Sequence, residues 1–374
     1  MIEGHTLDSW TRAADRGREA YQWAIVVAGF GAPVFLFLAG MSLTLAASAR
    51  LARGLAPRGV AAAALKRGVW IFGLAFLFRL QSWVISGGAF PRSLLKVDIL
   101  NIMGVAMVVA AALWYAGRRD AWRAALFAVV TIAAALLTPL VRATQWLAAL
   151  PDPIEWYLRP AGGGSTFTLL PWAGFLTAGA AVGVWLARTE AHGERRLNVA
   201  LAVVGLVMAA ASYSASFLPP LFDGTSFWTS SPAFFFLRLG LLIEAVPAAY
   251  LLTRLWRGAA LEDFGRASLF VYWIHVEMVY GVVSLPLHRR LPLGWIVVAF
   301  AAFTLALFWL VRLKDRWIGR GRSPEARISD ETVISGATPP RGVKGQISRL
   351  VTSLVARVTR AMHLGTAPGV PETG

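Results

Sequence analysis

Nine stretches of about 20 or more predominantly apolar residues follow one another through the first 312 positions, a series that no soluble fold accommodates. They lie near 21–49, 68–87, 97–116, 121–142, 167–187, 197–219, 232–253, 267–287 and 293–312. A hydrocarbon core about 30 Å thick takes about 20 helical residues, so each stretch is a candidate transmembrane helix. The runs are continuous, which argues against the period-two alternation of a membrane β-barrel. The expected fold class is all-α, a polytopic transmembrane helix bundle of about nine spans. The first run is interrupted at Gly31-Ala32-Pro33, which predicts a kink or two shorter pieces.

Charge follows the same frame. Charged residues are 15% of the chain, against about 25% in soluble domains. The formal charge of +16 would suit nucleic acid if it formed a soluble basic face with aromatic platforms. Instead the basic residues sit between apolar runs, so no nucleic-acid partner is expected and the lipid bilayer is. Arg50, Arg53, Arg58, Lys66 and Arg67 lie between the first two runs, and later alternate loops hold Arg118, Arg119 and Arg123, then Arg188, Arg195 and Arg196, then Arg254, Arg257 and Arg266. The positive-inside rule puts these loops and the C-terminus in the cytoplasm and residues 1–20 outside, with Arg289 and Arg290 as the dissent.

Residues 1–312 read as one transmembrane domain and 313–374 as a basic, mostly disordered cytoplasmic tail. Within the tail, apolar residues at helical spacing near 346–361 describe either an amphipathic helix on an anionic leaflet or a nascent helix without function. The chain has no cysteine, which excludes disulfides, thiolate zinc sites and cysteine nucleophiles.

Ionisable groups inside spans are costly and mark function or interhelical pairing. Here they are Arg79, Asp98 with Asn101, Arg238, Glu244, His275 and Glu277. His5 and Asp8 stand on the outer side, three residues apart and on one face if helical. Together these groups either converge on an outward-facing polar cavity or form ion pairs, Arg79 with Asp98 for example, that hold the bundle together. The histidines favour a chemical role, since imidazole exchanges protons near neutral pH. No Walker A, Gly-x-Ser-x-Gly or His-Glu-x-x-His motif occurs. Gly162-Gly163-Gly164 follows no strand and reads as a flexible connection rather than a phosphate cradle.

Five segments carry a family likeness. They are Met1–Trp10 (MIEGHTLDSW), Ala32–Gly40 (APVFLFLAG), Val97–Gly104 (VDILNIMG), Leu170–Gly174 (LPWAG) and Gly265–His275 (GRASLFVYWIH). In this order they resemble the bacterial relatives of heparan-α-glucosaminide N-acetyltransferase, within the wider group of multispan membrane acyltransferases. The resemblance implies transfer of an acetyl or other acyl group from acetyl-CoA or another acyl-CoA to a carbohydrate-like acceptor on the far side of a bacterial cytoplasmic (inner) membrane. No metal is expected. His5 matches the histidine on which such proteins depend, as general base or transient acyl carrier, with Asp8 as an orienting partner. His275 matches a second recurrent histidine. Arg79, Asp98, Asn101, Arg238, Glu244 and Glu277 are the candidate substrate-binding set. Arg50, Arg53 and Arg58 are candidates for the CoA phosphates, although topology alone also accounts for them. Relatives usually carry a further span before the histidine segment, which leaves nine spans or ten, the tenth upstream of Met1. The rival reading is a transporter or flippase with a polar path through Arg238, Glu244 and His275. A third is a degenerate member that only scaffolds partners.

Overall fold

The computed structural model describes residues 1–320, except 87–88, 224, 229 and 256–258; the 346–361 segment lies outside the described residues. In chain order the helices are α1 (Ile2–Trp10), α2 (Glu19–Ala28), α3 (Gly31–Ala52), α4 (Pro57–Ser86), α5 (Arg92–Leu95), α6 (Ile99–Ala116) and α7 (Asp120–Ala143). They continue as α8 (Asp152–Leu158), α9 (Leu169–Arg188), α10 (Glu194–Ser214), α11 (Pro232–Leu255), α12 (Ala259–Arg266), α13 (Ser268–Tyr280) and α14 (Leu293–Arg320). No strand occurs among the described residues, only two isolated bridges. Lipid offers backbone groups no partner, so a chain this apolar must satisfy them within helices.

Eight helical segments among the described residues are long and apolar enough to cross a membrane: α2 with α3, α4, α6, α7, α9, α10, α11 and α14. The all-α bundle expected from the sequence is what forms. The first run splits, as anticipated, with α2 ending at Ala28 and α3 beginning at Gly31.

The run at 267–287 departs from the expected single span. Its helix α13 has 13 residues, or about 20 Å at 1.5 Å per residue, and stops at Tyr280. Gly281 follows with extended ψ, where a Cβ would lie 2.2 Å from the Glu277 carbonyl oxygen, and a short 3₁₀ segment, Val282–Leu287, completes the run. The path 259–287 still retraces α14. Asp263 of α12 pairs with Arg312 at 3.4 Å near one end, and Leu291 and Leu293 return beside α1 at the other. The ninth traverse is thus assembled from short pieces.

Helices α6 and α9 form the centre, each with 61% of its apolar window buried, against 17% for α10 at the periphery. Helix α9 approaches α3 backbone to backbone. A Cβ on Gly179 would stand 1.9 Å from the Phe37 carbonyl oxygen, and one on Gly40 would stand 1.8 Å from that of Leu176. Thr44 adds an interhelical bond, its Oγ1 donating to the Ala180 carbonyl at 3.2 Å. Without a hydrophobic drive between helices in lipid, such close approach of small residues supplies the packing energy. Gly68 against Gly104 (α4, α6) and Gly205 against Gly240 (α10, α11) repeat the device.

Two main apolar clusters result, beside a small third one in which Val97 and Ile102 pack with Trp156. One unites α3, α4, α6, α7, α9 and α11; the other joins α1, α2, α13 and α14. Between α7 and α9, the Gly162–Gly164 turn is pinned rather than free. The Gly164 carbonyl accepts from Val97 N at 2.9 Å, Arg92 donates to the Gly162 carbonyl at 2.6 Å, and Gly164 lies flat against Trp156. One end of the bundle gathers Asp120, Arg188 and the Arg123 bond to the Trp114 carbonyl, which puts Asp98, Arg142 and Pro171 at the opposite end.

Helix α1 is too short to span and is held by the broken ninth traverse. Where α13 stops, the Val279 carbonyl has no helical partner. Ser9 Oγ donates to it at 3.0 Å, Trp10 Nε1 at 3.3 Å and Ser284 Oγ at 2.6 Å. A parallel bridge of Thr11 with Leu291 adds Arg289 N to the Ser9 carbonyl, Leu291 N to the Trp10 carbonyl and Arg12 N to the Leu291 carbonyl, at 2.9, 2.9 and 3.0 Å. Asp15 closes the joint: it accepts from Arg12 Nε at 2.8 Å and Leu293 N at 3.0 Å, with Arg18 at 2.9 Å.

Gly179→Val should lower stability by about 3 kcal/mol through overpacking, whereas Gly73→Ala, which meets open space, should gain about 0.5–1 kcal/mol of helix propensity. Thermal unfolding of the two variants in detergent compares them directly. The Arg12 guanidinium, then the Leu293 N–H, hold the Asp15 carboxyl below the ordinary carboxylate range. A carboxyl depressed in the folded state stabilises fully above its unfolded pKa, about 3.9, and loses that contribution as pH falls through the folded value. Asp15→Asn should therefore weaken the protein at neutral pH and flatten the acid limb of its stability profile below about pH 4, as read by melting temperature across a pH series.

Candidate active site

Docking of α1 brings His5 and Asp8 to the C-terminal turn of α13. His5 Nδ1 lies 3.0 Å from the Tyr280 hydroxyl, and that hydroxyl donates to Asp8 Oδ2 at 2.9 Å. The proton positions follow from chemistry. An ionised carboxylate only accepts, so the tyrosine proton points to Asp8, and the tyrosine oxygen must then accept from His5. His5 therefore carries its proton on Nδ1 and keeps the Nε2 lone pair free. Burial lowers the His5 pKa to about 4, so the imidazole is neutral at ordinary pH. Arg16 steadies Asp8, bonding its backbone carbonyl and standing 3.8 Å from Oδ1.

His275 lies beside this relay, its ring centre 5.2 Å from that of His5 and its side chain almost wholly buried. Its Nδ1 is 2.7 Å from the Val271 carbonyl, a pure acceptor, so Nδ1 is again the protonated nitrogen. Nε2 is left buried with no hydrogen-bond partner. Two neutral imidazoles thus stand together, each held by Nδ1 and each with a free Nε2. Tyr272 flanks His275 edge-on at 5.8 Å and stacks on Phe35 at 5.8 Å. His5 lies on α1, whose Leu7 and Trp10 belong to the smaller cluster, while Tyr272 packs in the larger one, so the histidines sit at the seam between clusters.

Arg79, Asp98, Asn101 and Glu277 adjoin this seam, since Tyr272 feels the charges of Asp98, Arg79 and Glu277. Arg79 Nε is 3.2 Å from Asp98 Oδ2, the ion pair the sequence suggested. Asp98 also caps α6, accepting from Leu100 N at 2.9 Å and Asn101 N at 3.4 Å, while Asn101 Oδ1 accepts from Asp98 N at 3.0 Å. This capping box explains both residues locally. Expected convergence on one cavity does not extend to Arg238 and Glu244. Arg238 packs on Phe234 and beside Gly29, and Glu244 lies against Gly205 at the crossing of α10 and α11.

At the other end, Arg53 bonds the Ala49 carbonyl at 3.2 Å, Arg58 is exposed and Arg50 is half-buried. Arg67, at the far end of the same basic stretch, is close enough to Arg50 to be felt electrostatically. Tyr280 escaped the sequence reading. It stands in an apolar, aromatic run five residues after His275, and nothing in that spacing marks it as a link to a helix 272 residues away.

A search of curated proteins finds no match to the chain. The family described as heparan-alpha-glucosaminide N-acetyltransferase, catalytic, matches residues 1–218 of the 374. That range includes His5, Asp8, Arg79 and Asp98, while Tyr280 and His275 come from beyond it through the fold. The chain belongs to the family of the heparan-alpha-glucosaminide N-acetyltransferase catalytic domain, and is an integral membrane protein of that acetyltransferase family.

Proposed function

We propose that the protein transfers an acetyl or other acyl group from acyl-CoA to a carbohydrate-like acceptor on the outer side of a bacterial cytoplasmic membrane. The observation that carries this reading is the Asp8–Tyr280–His5 relay beside His275, in a chain of an acetyltransferase family. Residues 1–312 form the transferase body, and Arg50, Arg53 and Arg58 hold the CoA phosphates at the cytoplasmic end. The donor's thioester arm then lies along the bundle to reach His5.

His5 is the general base. Its Nε2 takes the proton of the acceptor's amine or hydroxyl as that atom attacks the thioester carbonyl carbon. A carbon–nitrogen or carbon–oxygen bond forms, the carbon–sulfur bond breaks, and His5 returns the proton to the leaving thiolate to give free CoA. The relay matters at the imidazolium stage. With Nδ1–H held by Tyr280, and Tyr280 by Asp8, positive charge on the ring is balanced by a carboxylate through one hydroxyl. His275 Nε2 accepts a hydrogen bond from the acceptor and aims it, which satisfies an otherwise orphaned buried atom. Arg79, Asp98, Asn101 and Glu277 line the acceptor's approach.

Acetyl-CoA turnover by detergent-purified protein should fall about 10²–10⁴-fold in His5→Ala. Turnover unchanged in that variant, or proton-coupled uptake without any acyl-CoA turnover, would sink the proposal and favour the transporter. Tyr280→Phe and Asp8→Asn should each cost about tenfold or more, and the double variant little beyond the worse single one, because members of a relay act as a unit. Additive losses would show that the two act separately. With the His5 pKa near 4, the base form persists over most of the working range. The rate constant kcat/KM should therefore stay flat from pH 8 to about pH 5 and fall only nearer the lowered pKa; a knee at about pH 6.5 would mean an imidazole with no such burial.

A further inference from the structure

A second polar site stands at the same end of the bundle, apart from the histidines. The ends of α7, α9 and α11 enclose a cavity of about 50 Å³ lined by Arg142, Arg238, Ser230, Ser231, Trp172 and Phe234 among others. None of its lining residues is acidic. Arg142 comes from the last turn of α7 and Arg238 from the second turn of α11. The charge of Arg238 in so small a space, at membrane depth, calls for a negative counterpart.

Arg238 is the informative member. Among the described residues no carboxylate stands within ion-pair distance of it, and its Nε is buried without a hydrogen-bond acceptor. Its guanidinium is fixed over the Phe234 ring at 4.0 Å and approaches the Phe30 ring at 5.8 Å. Stacking of that kind holds the plane of the group and leaves its N–H edge to bind. Ser231 supplies a neutral donor. Its Oγ accepts from Ala233 N at 3.1 Å, so its own hydrogen remains available. Ser231 also caps the 24-residue helix α11, whose positive end therefore faces the cavity, and the first turn of α9 contributes Trp172.

We propose that this cavity is an oxyanion site that binds a phosphate-like group, with Arg142, Arg238 and Ser231 as its donors. The volume suits the charged group alone, so the rest of the ligand lies outside it. Such a group reaches the outer end of the bundle either on a soluble phosphorylated molecule or as the headgroup of an anionic lipid. The site is separate from His5, and Gly29 lies between: it touches Arg238, while its neighbour Ala28 touches Gly4.

The test uses the full chain and requires no acyl transfer, so it stands independently of the catalytic proposal. One arm titrates inorganic phosphate into protein in neutral detergent, with chloride at matched ionic strength as the control. The other reconstitutes the protein in phosphatidylcholine nanodiscs with and without phosphatidylglycerol and measures retained lipid by native mass spectrometry. Removing one charge-assisted partner should weaken binding by about 10–100-fold, so Arg238→Gln and Arg142→Gln should each show that loss. Arg238→Lys, which keeps the charge but not the stacked fork, should lose part of it, and Ser231→Ala should lose less. The two milder variants keep the test decisive if either glutamine variant fails to fold. Phosphate binding that depends on Arg238 assigns a soluble ligand, and phosphatidylglycerol retention that depends on it assigns a lipid. Binding of neither, or binding indifferent to all four substitutions, overturns the proposal.

Discussion

The site depends on one joint, the seating of α1 against the place where α13 ends. A helix that stops within the bundle leaves carbonyls without partners, and in an apolar setting each is expensive to leave so. Ser9 and Trp10 satisfy the Val279 carbonyl, and the short bridge between Thr11 and Leu291 adds three backbone bonds. His5 and Asp8 precede these anchors on the same helix, so their positions are set by them. The break in α13 is accordingly what makes the relay geometrically accessible, and Gly281 is what permits the break.

Around that joint the bundle divides its labour. The larger cluster is locked by backbone contact at glycines, where α3 meets α9 most closely, and presents Tyr272 to the seam. The smaller cluster carries α1 and the end of α13. Sites between packed units combine a dry wall on each side with polar groups from both, which suits chemistry that must exclude water. Asp98 and Asn101 cap α6 and Arg79 pairs with Asp98, yet Asp98 Oδ2, Asn101 Nδ2 and Glu277 Oε1, like His275 Nε2, remain buried without a hydrogen-bond partner. A buried polar group that the fold has already satisfied has little left to offer a substrate; an unsatisfied one invites a ligand.

Much of the architecture was legible in the linear pattern, because each span must be apolar over its own length and needs no distant partner to be so. The split of the first run at residues 29–30, the charge asymmetry between alternate loops and the pairing of Arg79 with Asp98 are local or nearly local consequences. The run at 267–287 misled for a corresponding reason. Its mean apolarity suits a span, but α13 stops at Tyr280, where Gly281 takes a backbone path in which any Cβ would lie 2.2 Å from the Glu277 carbonyl oxygen, and hydropathy does not register this.

Sequence alone determined the membrane class, the helical architecture, the likeness to an acyltransferase family and the interest of His5, since all of these reside in composition, period and short motifs. Tertiary structure decided which residues act together. Tyr280 joins His5 to Asp8 only once the broken traverse returns to α1, and Arg238 parts company with the histidines because α11 turns it toward Arg142. Hydrogen bonds at 2.9–3.0 Å between residues 272 and 275 positions apart are set by packing, and no local pattern encodes a contact that only the folded chain closes.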